Sequence, residues 1–280
     1  MKISVIVPVF NEATSLKNCL ESLFKQELTD YEVLVIDDGS TDTTLESVLE
    51  FKTKKSLKIL KQRHQGPGSA RNLGAKEAEG KILVFIDADM EFEKNFIKKL
   101  VRPILEGKTI GTFSKEEYLL NKENKWARFW NVNLGRSPEK MHKDDYPDTQ
   151  PVFRAILKSE FEKAGGFDTN IGYTDDWSLS RKLGVDAVNA PGAIFYHKNP
   201  ERLSEVWIQA RWFGKNEFLT KNIFRKVFNL IRYDVIFSLI RGIYLSLKLR
   251  DFNFLIFKTI YDSAVSTSVL LSFFGEQKYK

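Results

Sequence analysis

The sequence predicts an α/β fold built on a parallel, doubly wound sheet with helices on its faces. Three observations predict it. Short, β-branched apolar runs recur at residues 3–7, 33–36 and 82–86, the pattern of strands buried on both faces. Stretches of helical character separate them, which gives the alternating order of such folds. Acidic and polar residues collect directly after the runs, where an open parallel sheet receives its ligands.

Each element has its own justification. The first strand, residues 3–7, runs into Pro8-Val9-Phe10-Asn11-Glu12. Residues 13–25 then place Leu16, Leu20, Leu23 and Phe24 near a period of 3.6, which is a helix with one apolar face. The second strand, 33–36, runs into Asp37-Asp38-Gly39-Ser40-Thr41-Asp42, whose last three residues are natural N-caps for a helix over 43–54. A weaker strand at 57–60 precedes a helix over 69–79, and the strand at 82–86 ends in Asp87-Ala88-Asp89. Beyond it, 95–105 reads as a helix and 135–150, rich in Pro, Asp, Lys and His, as a mobile loop. A strand at 152–157, the turn Gly165-Gly166-Phe167-Asp168 and a helix starting near Asp175 follow.

The chain has 280 residues, 42% hydrophobic and 29% charged, which suits one large α/β domain with or without an appendage. Its net charge of +6 is mild and is compatible with an anionic substrate, membrane surface or nucleic acid. Cys19, the single cysteine, allows neither an internal disulfide nor a cysteine zinc site, and its helical setting reads as a small buried hydrophobe. The run at 3–7 is too short for a signal-peptide core, so a cytoplasmic location is expected.

Three acidic strand ends on one sheet edge make a candidate site. In Asp87-Ala88-Asp89, two carboxylates on one tight turn suit a hard cation, Mg²⁺ or Mn²⁺, held together with substrate phosphates; a solvated acidic turn is the plain alternative. Asp38 can accept hydrogen bonds from a base or ribose, while Gly39 and Ser40 serve the turn. Gln65-Gly66-Pro67-Gly68-Ser69-Ala70-Arg71 is a glycine-rich entry to a helix, where Arg71 either contacts a phosphate or stays a surface arginine closing the loop. It has neither the spacing of a dinucleotide fingerprint nor the Gly-Lys-Ser/Thr end of a P-loop.

Together the stretches SVIVPVFNE, VLVIDDGSTD, GPGSARNLGAKEAEGKILVFIDAD and GGFDTNIGYTDDWSLSRKLG resemble the family 2 inverting glycosyltransferases, in the family's order and over about the first 190 residues. The resemblance implies a GT-A fold, a Rossmann-like, mixed but mainly parallel sheet, and transfer from a nucleotide-diphosphate sugar to a glycan or lipid-linked acceptor. It implies that Pro8, Phe10, Glu12 and Asp38 line a nucleoside pocket. Asp87, Ala88 and Asp89 would meet the metal and diphosphate, and Asp176, beside Asp175, would be the base. The family more often has Glu-Asp at that pair. The implied reaction is a single displacement at the anomeric carbon. His197, after an apolar strand at 193–196, either completes the metal shell or is a hydrogen-bonded edge histidine. Arg211 and Trp212 come one residue short of the Gln-x-x-Arg-Trp element of processive members. Trp126, Phe129 and Trp130 share one helix and read as core sooner than as sugar platforms.

The expected division is a catalytic domain over 1–220, with a nucleotide-binding half at 1–90 and an acceptor half at 91–220, then a helical appendage over 221–280. In the appendage Phe224, Phe228, Ile231, Val235 and Leu239 keep helical spacing among interleaved Lys and Arg, and the longest charge-free stretch, 263–275, is too short to span a membrane. Helices lying in the interface of a membrane, with the enzyme peripheral on its cytoplasmic face, are the expectation; packing on the catalytic domain is the alternative. Two other functions compete. A sugar-nucleotide pyrophosphorylase would carry its glycine-rich basic loop directly after strand one, where this chain has residues 8–12. A non-catalytic nucleotide-sugar-binding protein would tolerate loss of Asp89 or Asp176, and both are present. Nucleic acid is not an expected partner, because the basic residues concentrate in the apolar C-terminal segment.

Overall fold

A computed structural model describes residues 2–51, 53–54, 56–169, 176–214 and 222–274. The chain forms two compact units, one of Met1–Tyr118 and His142–His197, the other of Leu119–Met141 and Lys198–Tyr279.

In the first unit the alternating half runs β1 (Ile3–Val9), α1 (Ala13–Leu23), β2 (Tyr31–Asp37), α2 (Thr44–Leu49), β3 (Leu57–Lys61), α3 (Pro67–Glu77) and β4 (Ile82–Phe85). Every residue of β1, β2 and β4 is buried, as unbroken Val/Ile/Leu runs require in a sheet covered on both faces. Val5, Val7, Val33 and Val35 pack toward Leu16 and Leu20 of α1. Ile6, Leu34 and Ile36 face the opposite side with Ala70. On that side α3 lies close to the sheet. A Cβ at Gly74 would stand 2.6 Å from Ile6 Cγ2, so glycine is what lets the helix reach its bed.

Further along the chain come β5 (Met90–Phe92), α4 (Phe96–Leu105), β6 (Gly111–Phe113), β7 (Glu117–Leu119), α5 (Lys125–Asn133), β8 (Thr149–Gln150), β9 (Ala155–Leu157), α6 (Lys158–Lys163), α7 (Ser178–Leu183), β10 (Ala187–Asn189) and β11 (Phe195–His197). The large sheet has the order β3-β2-β1-β4-β9-β6-β10-β8, and β5-β11-β7 form a smaller one. Strands β3 to β4 are parallel, whereas β9 enters antiparallel between β4 and β6, so the sheet is mixed. The chain leaves β1 toward β2 on one side and returns to β4 on the other. In open α/β sheets such a reversal is where ligands gather, here at the carboxyl ends of β1 and β4.

Departures from the expected elements have local causes. Helix α2 stops at Leu49 because the next backbone N–H groups turn back over three residues, Phe51 to Val48 and Lys54 to Phe51. The strand expected over 152–157 starts at Ala155, the ring of Phe153 filling the space beside Gly111. The helix near Asp175 begins at Ser178, after a tighter turn through Asp176 and Trp177. The segment 135–150, expected as a mobile loop, is anchored: Asn131 Nδ2 donates to the carbonyls of Pro138 and Lys140, Met141 is buried, and β8 pairs with β10. Cys19 is fully buried, and burial pushes its thiol well above the usual range.

The second unit comprises α5, α8 (Leu203–Gly214), α9 (Ile223–Arg232), α10 (Val235–Leu249) and α11 (Asn253–Leu271). Phe129 and Trp130 pack with Val206, Ala210, Phe254, Phe257 and Tyr261, so the aromatic triplet of α5 is core. One expectation is overturned. By length and composition α11 is long and apolar enough to cross a membrane, with half of its apolar window buried by protein. The sequence hid this because Lys258 and Asp262 interrupt the apolar run. In the fold they are buried and paired at 2.8 Å, so neither presents a free charge.

Candidate functional site

Pro8, Phe10, Glu12, Asp38, Asp87, Ala88, Asp89 and His197 lie in the first unit in or just after the carboxyl ends of its strands, and Arg71 of α3 and Asp176, before α7, belong to the same unit. At the end of β1, Pro8 is buried in the strand opposite Ile36, and Phe10 is exposed with its ring stacked on His64, centroids 4.0 Å apart. Asn11 takes a left-handed conformation (φ 55°). Its N–H donates to Ser40 Oγ at 3.0 Å and its Oδ1 accepts from the Thr41 N–H at 2.8 Å. Glu12 is half-buried, and its N–H donates to Thr44 Oγ1. The ends of β1 and β2 are thus laced together by short polar side chains.

Asp38 is buried, and both of its oxygens are engaged. Oδ1 accepts from Gln62 Nε2 (2.7 Å) and the Gln65 N–H (2.8 Å), and Oδ2 accepts from the Gly66 N–H (2.8 Å) and lies 2.9 Å from His64 Nδ1. The carboxylate therefore sets the shape of the loop that opens α3 and carries the Phe10–His64 stack.

Arg71, on α3, is buried and does not point to solvent. One terminal nitrogen donates to Asp87 Oδ1 at 2.7 Å and the other to Asp176 Oδ1. Arg154 Nη1 takes the second Asp87 oxygen at 3.0 Å. Register places Arg154 there: its carbonyl accepts from the Phe85 N–H at the end of β4, just before the acidic turn. Burial works against ionisation of Asp87, but the two guanidinium groups outweigh it and hold its carboxyl well below the usual carboxylate range.

Asp89, across the same turn, meets a different set. Its Oδ2 lies 3.0 Å from His197 Nε2 at the end of β11; His197 Nδ1 is 2.7 Å from Glu117 Oε1, and Glu117 Oε2 is 3.0 Å from His142 Nε2. Asp89 Oδ1 is buried without a hydrogen-bond partner among the described residues. Burial disfavours charge on His197, yet Asp89 and Glu117 prevail and raise its pKa well above the ordinary value. Burial likewise opposes the Glu117 charge, and the two histidines prevail, holding its carboxyl low.

These shifts predict a stability profile. A histidine raised in the fold stabilises fully below its unfolded value of about 6.5 and loses that contribution as pH climbs through the folded value. In chelator, the melting temperature should fall as pH rises above neutrality, and His197→Gln should flatten that slope. Melts in which the variant keeps the wild-type slope would assign the effect to another group.

The acidic turn thus has two sides with different chemistry. Asp87 has both oxygens on arginines, one of which also holds Asp176. Asp89 offers a free buried oxygen beside an imidazole. Among the described residues no three His, Cys, Asp or Glu groups converge to hold a metal unaided. A carboxylate and an imidazole nevertheless fit a Mg²⁺- or Mn²⁺-type site that a diphosphate would complete. Asp175 lies outside the described residues, and Arg211 and Trp212 lie on α8 of the second unit. Arg154, Glu117 and His142 were not among the sequence candidates. Arg154 had a signal, as the lone charge inside the apolar run 152–157. Glu117, in Lys115-Glu116-Glu117, reads as one of a run of surface charges.

With that geometry in place, comparison with known proteins gives a consistent result. The family model described as Glycosyl transferase family 2 matches residues 4–165. Poly(ribitol-phosphate) beta-N-acetylglucosaminyltransferase TarS of Staphylococcus aureus is 42% identical over 102 residues, 35% of this chain and 18% of that protein, so the match spans less than a fifth of the relative's length. Among solved structures, S. aureus TarS 1-349 in complex with UDP-GlcNAc superposes with a TM-score of 0.58 at 20% identity, covering 97% of this chain and 92% of that one. Mannosyltransferase PcManGT from Pyrobaculum calidifontis, in complex with GDP-Man and Mn²⁺, gives 0.56 at 19% identity, covering 97% and 73%. These likenesses establish the GT-A fold.

Proposed function

The chain belongs to glycosyl transferase family 2, and from that membership we propose that it transfers a sugar, with inversion, from a nucleoside diphosphate donor to a hydroxyl of a glycan or lipid-linked acceptor. The observation that carries the reading is buried Arg71, which joins the half-buried Asp87 of the Asp-x-Asp turn to Asp176, the candidate base, within one ion-pair cluster.

The residues divide the work as follows. Pro8, Phe10, Glu12 and the loop held by Asp38 form the nucleoside end, where the exposed Phe10 ring offers a stacking face. Asp89 and His197, its Nε2 proton released to solvent, would hold Mg²⁺ or Mn²⁺ together with the diphosphate of the donor. When bound, the cation would supply Lewis-acid neutralisation of the charge on the departing diphosphate. Asp87, clamped by Arg71 and Arg154, fixes the turn that aims Asp89. Asp176 accepts the proton of the attacking hydroxyl, and Arg71 orients its carboxylate. The TarS and PcManGT complexes make UDP-N-acetylhexosamines and GDP-hexoses the first donors to try.

A thermal-shift panel of nucleotide sugars with Mn²⁺ or Mg²⁺ tests the assignment. One donor class should raise the melting temperature and be consumed by slow, metal-dependent hydrolysis. Absence of stabilisation by every nucleotide and nucleotide sugar would reject the donor reading, and stabilisation that persists in chelator would reject the cation.

A further inference from the structure

Helix α10 of the second unit is turned inside out. The residues it buries are small, Ser238, Gly242 and Ser246, one every four positions. Those facing outward are large and apolar: Ile236 is 67% exposed, Ile240 60% and Tyr244 66%, against 1% for Ser238 and 0% for Ser246. The small stripe has a packing purpose, since a Cβ on Gly242 would lie 2.6 Å from Leu255 Cδ1 of α11. Helix α9 repeats the inversion, burying Lys226, whose Nζ donates to the Ser272 carbonyl, while Phe224 (89% exposed) and Phe228 face out. In water the hydrophobic effect drives the opposite arrangement, and so many large apolar side chains exposed on two successive helices mark a binding face. Small residues between helices with large apolar ones outside is how helices pack in lipid.

We propose that the outward faces of α9 and α10 insert into one leaflet of an anionic bilayer. Three features select lipid as the occupant. The exposed cations Arg225, Arg232, Arg241, Lys248 and Arg250 lie on the same two helices and the turn after them, a charge pattern that complements anionic headgroups. A two-fold pairing of chains through this surface would set the same cations against one another. The 15 residues of α10 are about 22 Å long, short of the roughly 30 Å hydrocarbon core, so the helix lies within a leaflet and does not cross it. The inference is independent of the chemistry assigned to the first unit.

Flotation of the full chain with vesicles of phosphatidylglycerol mixed with phosphatidylcholine tests it. The protein should float with these vesicles more strongly than with phosphatidylcholine alone. Ile240→Asp should reduce the bound fraction constant by at least roughly tenfold. Leu105→Asp, at an exposed leucine of the first unit, should leave it unchanged, with circular dichroism confirming that both variants fold. Because Cys19 is buried, a polarity-sensitive dye on Tyr244→Cys reports one position, and its emission should shift to the blue only when vesicles are added. A dye already blue-shifted without lipid, with a mass that doubles with concentration, would make a second copy the occupant. Flotation lost in salt and indifferent to Ile240→Asp would reduce the contact to surface electrostatics. Absence of flotation would reject the membrane outright. Each of these three results overturns the proposal.

Discussion

Asp176→Asn is expected to lower the rate of transfer by about 10²–10⁴-fold while leaving the donor's dissociation constant within a few-fold of wild type. The argument is geometric. Arg71 donates to Asp176 through one nitrogen and to Asp87 through the other, so asparagine still offers Arg71 an oxygen and the fork keeps its place on Asp87. What disappears is a carboxylate able to take a proton. A loss confined to kcat is the signature of an interaction made in the transition state. Stopped transfer with intact donor binding, read by isothermal titration alongside product formation, is the outcome the base assignment requires. Transfer at the wild-type rate would move the base to another carboxylate, with the neighbouring Asp175 the first to test.

The second large effect is at the other carboxylate of the turn. With Mn²⁺ present and a donor at about 100 times its dissociation constant, binding should stabilise the fold by about 2.7 kcal/mol, which is roughly 5–10 °C for a domain of this size. Asp89→Ala should abolish that increment. The increment is the quantity to compare, because removing Asp89 also releases one partner of His197 and shifts the unliganded melting point. Asp87→Ala should act differently. It leaves Arg71 and Arg154 without their shared carboxylate inside the protein, so the unliganded protein itself loses stability. If Asp89→Ala retains the metal-dependent increment, the free Asp89 oxygen is not the ligand.

Much of this was legible in the sequence, for identifiable reasons. Strands β1, β2 and β4 are buried on both faces, so most positions are Val, Ile or Leu and the signal is strong. The acidic strand ends were readable because strand direction alone brings them to one edge. Strands β6 and β10 are three residues long and carry too few positions to show a period. The contacts of Arg71 were not legible at all. A glycine-rich helix entry suggests an anion, and the anion it meets in the fold is Asp87 and Asp176, the latter 105 positions away. The inversion of α9 and α10 was half visible: their apolar period is plain, but which face looks outward is settled only by what α11 covers.

Asp38 has a consequence for how donor preference is set. Two of the hydrogen bonds it accepts come from the main chain, at Gln65 and Gly66, and those bonds are indifferent to the side chains borne there. The side chains of Arg63 and Gln65 can therefore be rewritten while the start of α3, and with it the position of Arg71, stays where it is. Under the assignment proposed above, selectivity for one nucleobase over another would be uncoupled from the residues that carry the transfer step.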